Sequence, residues 1–414
     1  MSSTALPPVR RRKVFYIPGY DPFPPRRYRE LYRKEAAAQA ALSGYDISLS
    51  PGRHRDRFGW HVRSDIDGQV TEAEIEVLVW SDIVQDSRPR SVRATYADLL
   101  RTAWIYISTG ALFRLMRLRK GPVIAALYPV VALLAQAGLA LGLGAAFYRI
   151  VTRMGREVLP AYEAMVAVAG TGLGLLLGGL VLRWFRDQDG KFFAYYLMHD
   201  FAFSASEQGA YPPALEARLT LFRSRIAEAL AEDVQEVLVV GHSSGAYLAV
   251  SVLSDLLAEG PRPKEAPALG LLSLGHVVPM VSFLPRAERL RADLRALSQR
   301  ADVTWVDVTA PGDGCCFALC DPVSVSGQAT SGKRGPLVFS AAFTQSLSPA
   351  RWRALRWRFF RLHFQYLCAF DRPKDYDYFQ ITAGPLRLSE RYAGRRPSKS
   401  RLETAVSGYT SVRS

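Results

Sequence analysis

One serine stands where an amino-acid sequence rarely puts one by accident. Ser243 lies in Gly241-His242-Ser243-Ser244-Gly245, directly after the strand formers Val237-Leu238-Val239-Val240. Ala246-Tyr247-Leu248-Ala249-Val250 then opens an apolar helical pattern that lasts until Gly260-Pro261. A serine between a buried strand and a helix sits on a sharp turn with its hydroxyl outermost, the arrangement called a nucleophile elbow. Gly241 and Gly245 suit that turn, because a Cβ at either would crowd the crossing of strand and helix. The five-residue pattern alone also arises by chance. Its strand–turn–helix setting makes Ser243 the expected nucleophile.

A serine hydroxyl needs a base, and the base needs a carboxylate to orient it. For a serine on such an elbow the chain order is serine, acid, histidine. His54, His61 and His199 precede Ser243, His242 is inside the turn, and His276 follows the next strand, ahead of any acid-bearing loop. His363 alone has the required order. Its apolar neighbours Leu362 and Phe364 equally suit a hydrogen-bonded core histidine. Asp313, in Pro311-Gly312-Asp313-Gly314 beyond a strand at 303–309, is the expected acid, with Asp307 and Asp321 as alternatives. Aspartate in such a turn is often only a turn former. An oxyanion formed at the substrate needs backbone N–H donors. Ser244 would supply one, and Gly19 or Tyr20 the other, in Ile17-Pro18-Gly19-Tyr20 where an early strand at 14–17 ends. That tetrapeptide is also an ordinary turn sequence.

No metal and no cofactor is expected. Cys315, Cys316 and Cys320 lie close together without the histidine spacing of a structural zinc site. Four cysteines in 414 residues do not make a disulfide framework and read as reduced thiols.

Apolar strands alternate with amphipathic helices elsewhere. Strands fall at 45–50, 58–66, 70–80, 269–274 and 303–309, with Asp67-Gly68 as a hairpin turn and 75–80 as a central strand. Helices fall near 26–42, 94–119, 212–231 and 285–300. The expected class is α/β, with a doubly wound, mainly parallel sheet.

Two runs interrupt this alternation. Residues 121–148 and 164–182 contain no charged side chain, and both exceed the roughly 18 apolar residues that mark a spanning helix. Gly170, Gly172, Gly174, Gly178 and Gly179 in the second run suit close helix contact in lipid. The chain therefore divides into a basic N-terminal tail at 1–13, a first domain part at 14–120, a transmembrane hairpin at 121–183, a second domain part at 184–390, and a basic, Ser-rich, disordered tail at 391–414. Arg114, Arg117, Arg119, Lys120, Arg183, Arg186 and Lys191 flank the hairpin, against Arg149, Arg153 and Arg156 in its connector. By the positive-inside rule the flanks and the catalytic part are cytoplasmic. The formal net charge of +15 is thereby tied to lipid, and no nucleic-acid-binding signature accompanies it.

Ile17-Pro18-Gly19-Tyr20, the elbow at 241–245, Asp313 and His363 together resemble the α/β-hydrolase superfamily, in particular its lipase- and esterase-like members. The resemblance implies hydrolysis of carboxylic esters through a Ser243–His363–Asp313 triad and an acyl-enzyme, and it names no substrate. In many members the oxyanion loop begins His-Gly, whereas Pro18 precedes Gly19 here, and the usual leading strands are missing before residue 14. An acyltransferase or thioesterase on the same scaffold is the rival enzyme, and a catalytically silent membrane scaffold is the rival of another class. One more stretch bears on substrate. Residues 349–361 read as a helix with Trp352, Leu355, Phe359 and Leu362 in one stripe and Arg351, Arg353, Arg356, Arg358 and Arg361 beside it. Such a helix suits an anionic membrane surface, or else a core stripe edged by solvated arginines. The first alternative makes membrane lipids partners and a hydrophobic, lipid-like ester the substrate. Oligomeric state is left open.

Overall fold

Residues 236–242 are buried at every position, without alternation, as a strand covered on both faces must be. They form β5 (Glu236–His242) in a sheet with β1 (Arg11–Ile17), β2 (Asp46–Pro51), β3 (Gly59–Ile66), β4 (Gln69–Val77), β6 (Ala268–Leu274), β7 (Thr304–Thr309) and β8 (Leu337–Ser340). The computed structural model describes residues 7–52, 57–88, 91–258, 260–263 and 265–412, so His54 falls outside it. The eight strands run in the order β2-β3-β4-β1-β5-β6-β7-β8. Strands β4 to β8 along this order are parallel, and β3 is antiparallel to both its neighbours. The class is therefore α/β with a mostly parallel sheet. β1 enters at the middle of the sheet because β2, β3 and β4, which follow it in the chain, lie on one side and β5 on the other. A fully buried ion pair pins that centre, Arg12 Nε donating to Glu236 Oε2 at 2.7 Å. The remaining Arg12 N–H groups reach the Gly384 and Leu386 carbonyls.

Asp67 and Gly68 both take positive φ, 56° and 72°, and close the β3–β4 hairpin as the sequence indicates. The strand expected over 75–80 stops at Val77, and Trp80 instead donates its Nε1–H to the Pro18 carbonyl at 2.9 Å. β8 has only four residues, too few for a periodic signal. The helix expected at 94–119 breaks at Gly110, whose φ is 72°, into Val92–Ser108 and Ala111–Leu118. The helix expected at 349–361 is also two pieces, Pro349–Leu355 and Phe359–His363.

The C-terminal stretch departs from the expected disorder. Leu402 exchanges backbone hydrogen bonds with Leu319 (2.7 Å) and Asp321 (2.9 Å), and Val406 N–H reaches the Val325 carbonyl (3.1 Å). Arg291, with no exposed surface, donates its Nε–H to the Ser411 carbonyl at 2.7 Å. A buried guanidinium must find acceptors, and this one finds them on the tail. Ser-rich composition did not register that demand.

The chain forms two compact units, residues 1–86, 106–123 and 207–414 in the first, 87–105 and 124–206 in the second. The second is larger than the expected 121–183 insertion. Besides the apolar helices Lys120–Val158 and Glu163–Asp187 it takes in much of Val92–Ser108 and all of Ala194–Ala205. Leu99, Leu133, Ala194, Tyr195 and Met198 pack in one cluster, and Tyr96 donates to the Leu133 carbonyl at 2.8 Å. The connector also does not hold Arg149, Arg153 and Arg156 as expected, because the first helix continues through them to Val158. Both long helices are long and apolar enough to cross a membrane, and only 28% and 11% of their most apolar windows is covered by protein. A core helix would be covered.

The two helices touch backbone to backbone. A Cβ on Gly144 would lie 2.7 Å from the Gly174 carbonyl oxygen, and one on Gly174 would lie 2.7 Å from that of Gly144. Gly172 has open space around it. Gly174→Leu should therefore destabilise the hairpin by about 1–3 kcal/mol through overpacking, while Gly172→Leu should be close to neutral. Thermal midpoints of the two variants in detergent check this; equal midpoints would refute the glycine contact.

Candidate active site

Ser243 has φ of +57°, the left-handed region that a residue with a Cβ seldom enters. The surroundings hold it there. Its N–H donates to the Leu274 carbonyl at 2.9 Å, and its own carbonyl accepts from Ala246 N–H at 3.1 Å. The two glycines are sterically required. A Cβ on Gly241 would sit 2.6 Å from the Gly245 carbonyl oxygen, and one on Gly245 would strike the Ile17 carbonyl. That second approach brings the exit of β1 onto the turn. A Cβ on Gly19 would lie 2.9 Å from Ser243 Cβ and 3.3 Å from its Oγ.

Among the described residues, neither the Gly19 N–H nor the Ser244 N–H meets an acceptor. Two backbone donors next to the half-buried Ser243, one in the loop packed on it and one following it in the chain, thus remain unpaired. Tyr20, the alternative to Gly19, is a buried packing residue with its ring edge-on to Trp80 at 6.2 Å.

Asp313 lies in the turn after β7, and its Oδ2 is 2.8 Å from His363 Nδ1. Oδ1 accepts from Cys315 N–H at 2.9 Å, and Oδ2 also accepts from the Tyr366 hydroxyl at 3.1 Å. Burial acts to raise the Asp313 pKa, but the neighbouring His363, then the Cys315 N–H and the Cys316 thiol, outweigh it and hold the carboxyl below its usual value. An ionised acceptor at Nδ1 assigns the ring proton to that nitrogen and leaves Nε2 as the basic one. Asp307 and Asp321 do not contact His363. Asp307 is bound by Ser273 Oγ at 2.6 Å, and Asp321 caps Pro322–Val325 and pairs with Lys333 at 2.5 Å.

His363 packs against the elbow. Its ring centroid is 4.8 Å from that of His242, whose Nε2–H donates to the His363 carbonyl at 3.0 Å. Its Cε1 is 3.1 Å from where a Cβ on Gly275 would be, one residue past the carbonyl that holds Ser243 N–H. No hydrogen bond joins Ser243 Oγ to the His363 ring among the described residues. The residues that flank the serine in space are in contact with the imidazole.

Sequence reasoning missed Tyr366, whose hydroxyl steadies Asp313 and whose carbonyl accepts from Tyr376 at 2.7 Å. Its only signal was a position three residues after His363. It also left His242 without a role, although that ring orients the backbone of His363. Asp313, Cys315 and His363 offer ligand atoms within 4.8 Å of one another. A metal there would have to break the bond that Asp313 and His363 already make. Cys316 is buried against the Tyr366 hydroxyl at 3.5 Å, and burial, then the Asp313 charge, push its thiol up, away from the reactive thiolate.

Burial pushes His242 down to about 3 and His276 to about 4. Both rings stay neutral in the folded protein, while in the unfolded chain each takes a proton near pH 6.5. For each histidine the unfolded state then binds the extra proton, so each should take away about 1.4 kcal/mol of stability per pH unit as pH drops from 6.5 towards 4. Thermal unfolding across pH 7 to 5 measures the slope, and His276→Gln should make it shallower by one proton's worth. Set against known proteins, the chain matches no family model, no curated protein and no solved structure.

Proposed function

We propose that this chain is a membrane-anchored serine hydrolase acting on carboxylic esters of hydrophobic character. The observation that carries the reading is the buried, charge-assisted Asp313–His363 bond against an elbow whose serine is held at φ +57°. His363 Nε2 takes the proton of Ser243 Oγ as that oxygen attacks the ester carbonyl. The resulting oxyanion is held by the Ser244 and Gly19 N–H groups, and His363 returns the proton to the leaving alcohol. Water, deprotonated by the same nitrogen, then resolves the acyl-enzyme to free acid and serine. Asp313 keeps the imidazole in the required tautomer and stabilises its charged form. Catalytic hydrogen bonds are commonly long before substrate binds, which accommodates the separation of Ser243 and His363 here.

The α/β-hydrolase likeness is supported by the elbow, the loop after β1 and the order serine, acid, histidine. The strand order supports it less directly, since β2, β3 and β4 reach their side of the sheet after β1 in the chain and β3 runs antiparallel. Anchoring is supported by the two long, mostly uncovered apolar helices. Seven cations on the flanks against three in the last turns of the first long helix favour a cytoplasmic catalytic unit.

A fluorophosphonate probe should label the folded protein in detergent at Ser243. Ser243→Ala should abolish labelling and lower kcat by at least about 1,000-fold, and Asp313→Asn should lower it by about 10,000-fold. A wild-type protein that resists the probe would be a scaffold without catalysis. For topology, a reporter inserted at 159–162 should signal from the non-cytoplasmic side. A cytoplasmic signal reverses the orientation.

A further inference from the structure

Residues 345–370 contain no aspartate or glutamate, yet they hold five arginines within eleven positions. The expected single helix breaks at 356–358, and the break decides where the side chains go. Inward, Trp352 lies over Gly312, where a Cβ would be 2.6 Å from its ring, and Phe359 lies against Gly314 at 3.5 Å. The two rings bracket Asp313, and fully buried Leu362 leads directly to His363. Outward, Trp357 is 72% exposed and Phe359 48% exposed.

Arg353, Arg356, Arg358 and Arg361 are all exposed, and none forms an ion pair among the described residues. Arg351 is different, lying 3.7 Å from Glu35. The Arg356 guanidinium stacks over the Trp357 ring at 5.6 Å. An exposed indole among uncompensated guanidiniums is poorly served by water alone. Both groups are well served at a lipid interface, where indole sits at headgroup level and arginine reaches phosphate.

We propose that the surface formed by residues 353–361 docks onto an anionic lipid bilayer and that the ester substrate is drawn from that surface. The guanidiniums engage lipid phosphates, and Trp357 and Phe359 enter the acyl boundary. The docking stands on exposure and charge alone, whereas the substrate clause rests on the hydrolase reading. Single-stranded nucleic acid also pairs with basic-aromatic surfaces. Lipid is favoured because the same chain carries two helices long and apolar enough to cross a bilayer, so such a surface is always at hand.

The test uses the full chain in nanodiscs with brominated acyl chains, which quench tryptophans that reach them. The Trp357 contribution is the difference between wild type and Trp357→Phe. In discs containing phosphatidylglycerol that contribution should be quenched. It should recover in pure phosphatidylcholine discs and at high salt, since exposed charges are screened there. Replacing Arg353, Arg356, Arg358 and Arg361 by Gln should weaken docking by about fivefold per arginine. Ser243→Ala should dock like wild type, so a failed hydrolase assignment leaves this result standing and a failed docking leaves that assignment standing. Equal quenching of wild type and Trp357→Phe, or quenching indifferent to headgroup charge, overturns the proposal. So does a Trp357 emission shift produced by an RNA oligonucleotide and absent with anionic lipid. Should the fourfold variant fail to fold, the exposed Trp357→Phe substitution and the lipid comparison still decide.

Discussion

Two backbone segments approach more closely in this protein than any side chain would permit, and the candidate site is a consequence. The carbonyl of Ile17, at the end of β1, occupies the place where a Cβ on residue 245 would be. Because that residue is glycine, the loop after β1 passes over the turn after β5, and Gly19 comes to rest on Ser243. The same crowding stabilises the unusual backbone of Ser243, since the turn has no room to relax to a broader path. The nearness of the Gly19 backbone to Ser243 follows from this geometry and from no specific side chain. The chemistry attributed to the site therefore depends first on the absence of two methyl-sized groups.

Charge within the first unit shows how partners decide ionisation once burial is shared. Asp313 and Asp307 are both essentially without exposure, at 2% and 0%. Asp313 is surrounded by donors and an imidazole and stays ionised. Asp307 has Ser273 on one oxygen and nothing on the other, and burial holds its pKa well above the usual value. His276 Nε2 lies 3.7 Å from that oxygen, but its stronger bond is to the Cys320 carbonyl at 3.0 Å, and its own pKa is depressed. Burial thus moves both groups in the direction that disfavours an ion pair between them. Depth alone would rank these aspartates as equals; their neighbours move the two carboxyls in opposite directions.

Much of this was legible from residue order. Chain order singled out His363 among six histidines, whereas all three candidate aspartates met it and Asp313 stood out only by its turn just past a strand. Strand runs and the Asp67-Gly68 turn were readable because their signals are local. What escaped was non-local. Tyr366 reaches Asp313 only because Phe364–Leu367 tightens into a short helical turn after His363, and no spacing rule announces that. Residues 391–412 looked disordered by composition, yet their order comes from acceptors they present to Arg291 and Gln328 far earlier in the chain. The break at 356–358 was invisible for a similar reason. Arginine and tryptophan are tolerable in helices, and the tertiary demand to seat Trp352 over Gly312 and His363 beside Asp313 overrides that propensity.

The Arg12–Glu236 pair joins partners 224 positions apart, and both long apolar helices lie between them in the chain. During synthesis β1 leaves the ribosome long before β5, so the middle of the sheet stays open until the apolar hairpin has emerged. Bridging so long an intervening segment adds little entropy, because closure grows only logarithmically with length. What it imposes is an order of synthesis, with both long apolar helices made before the strand whose pairing assembles the elbow. A half-made chain of this kind already carries its two most apolar segments before Ser243 has been added.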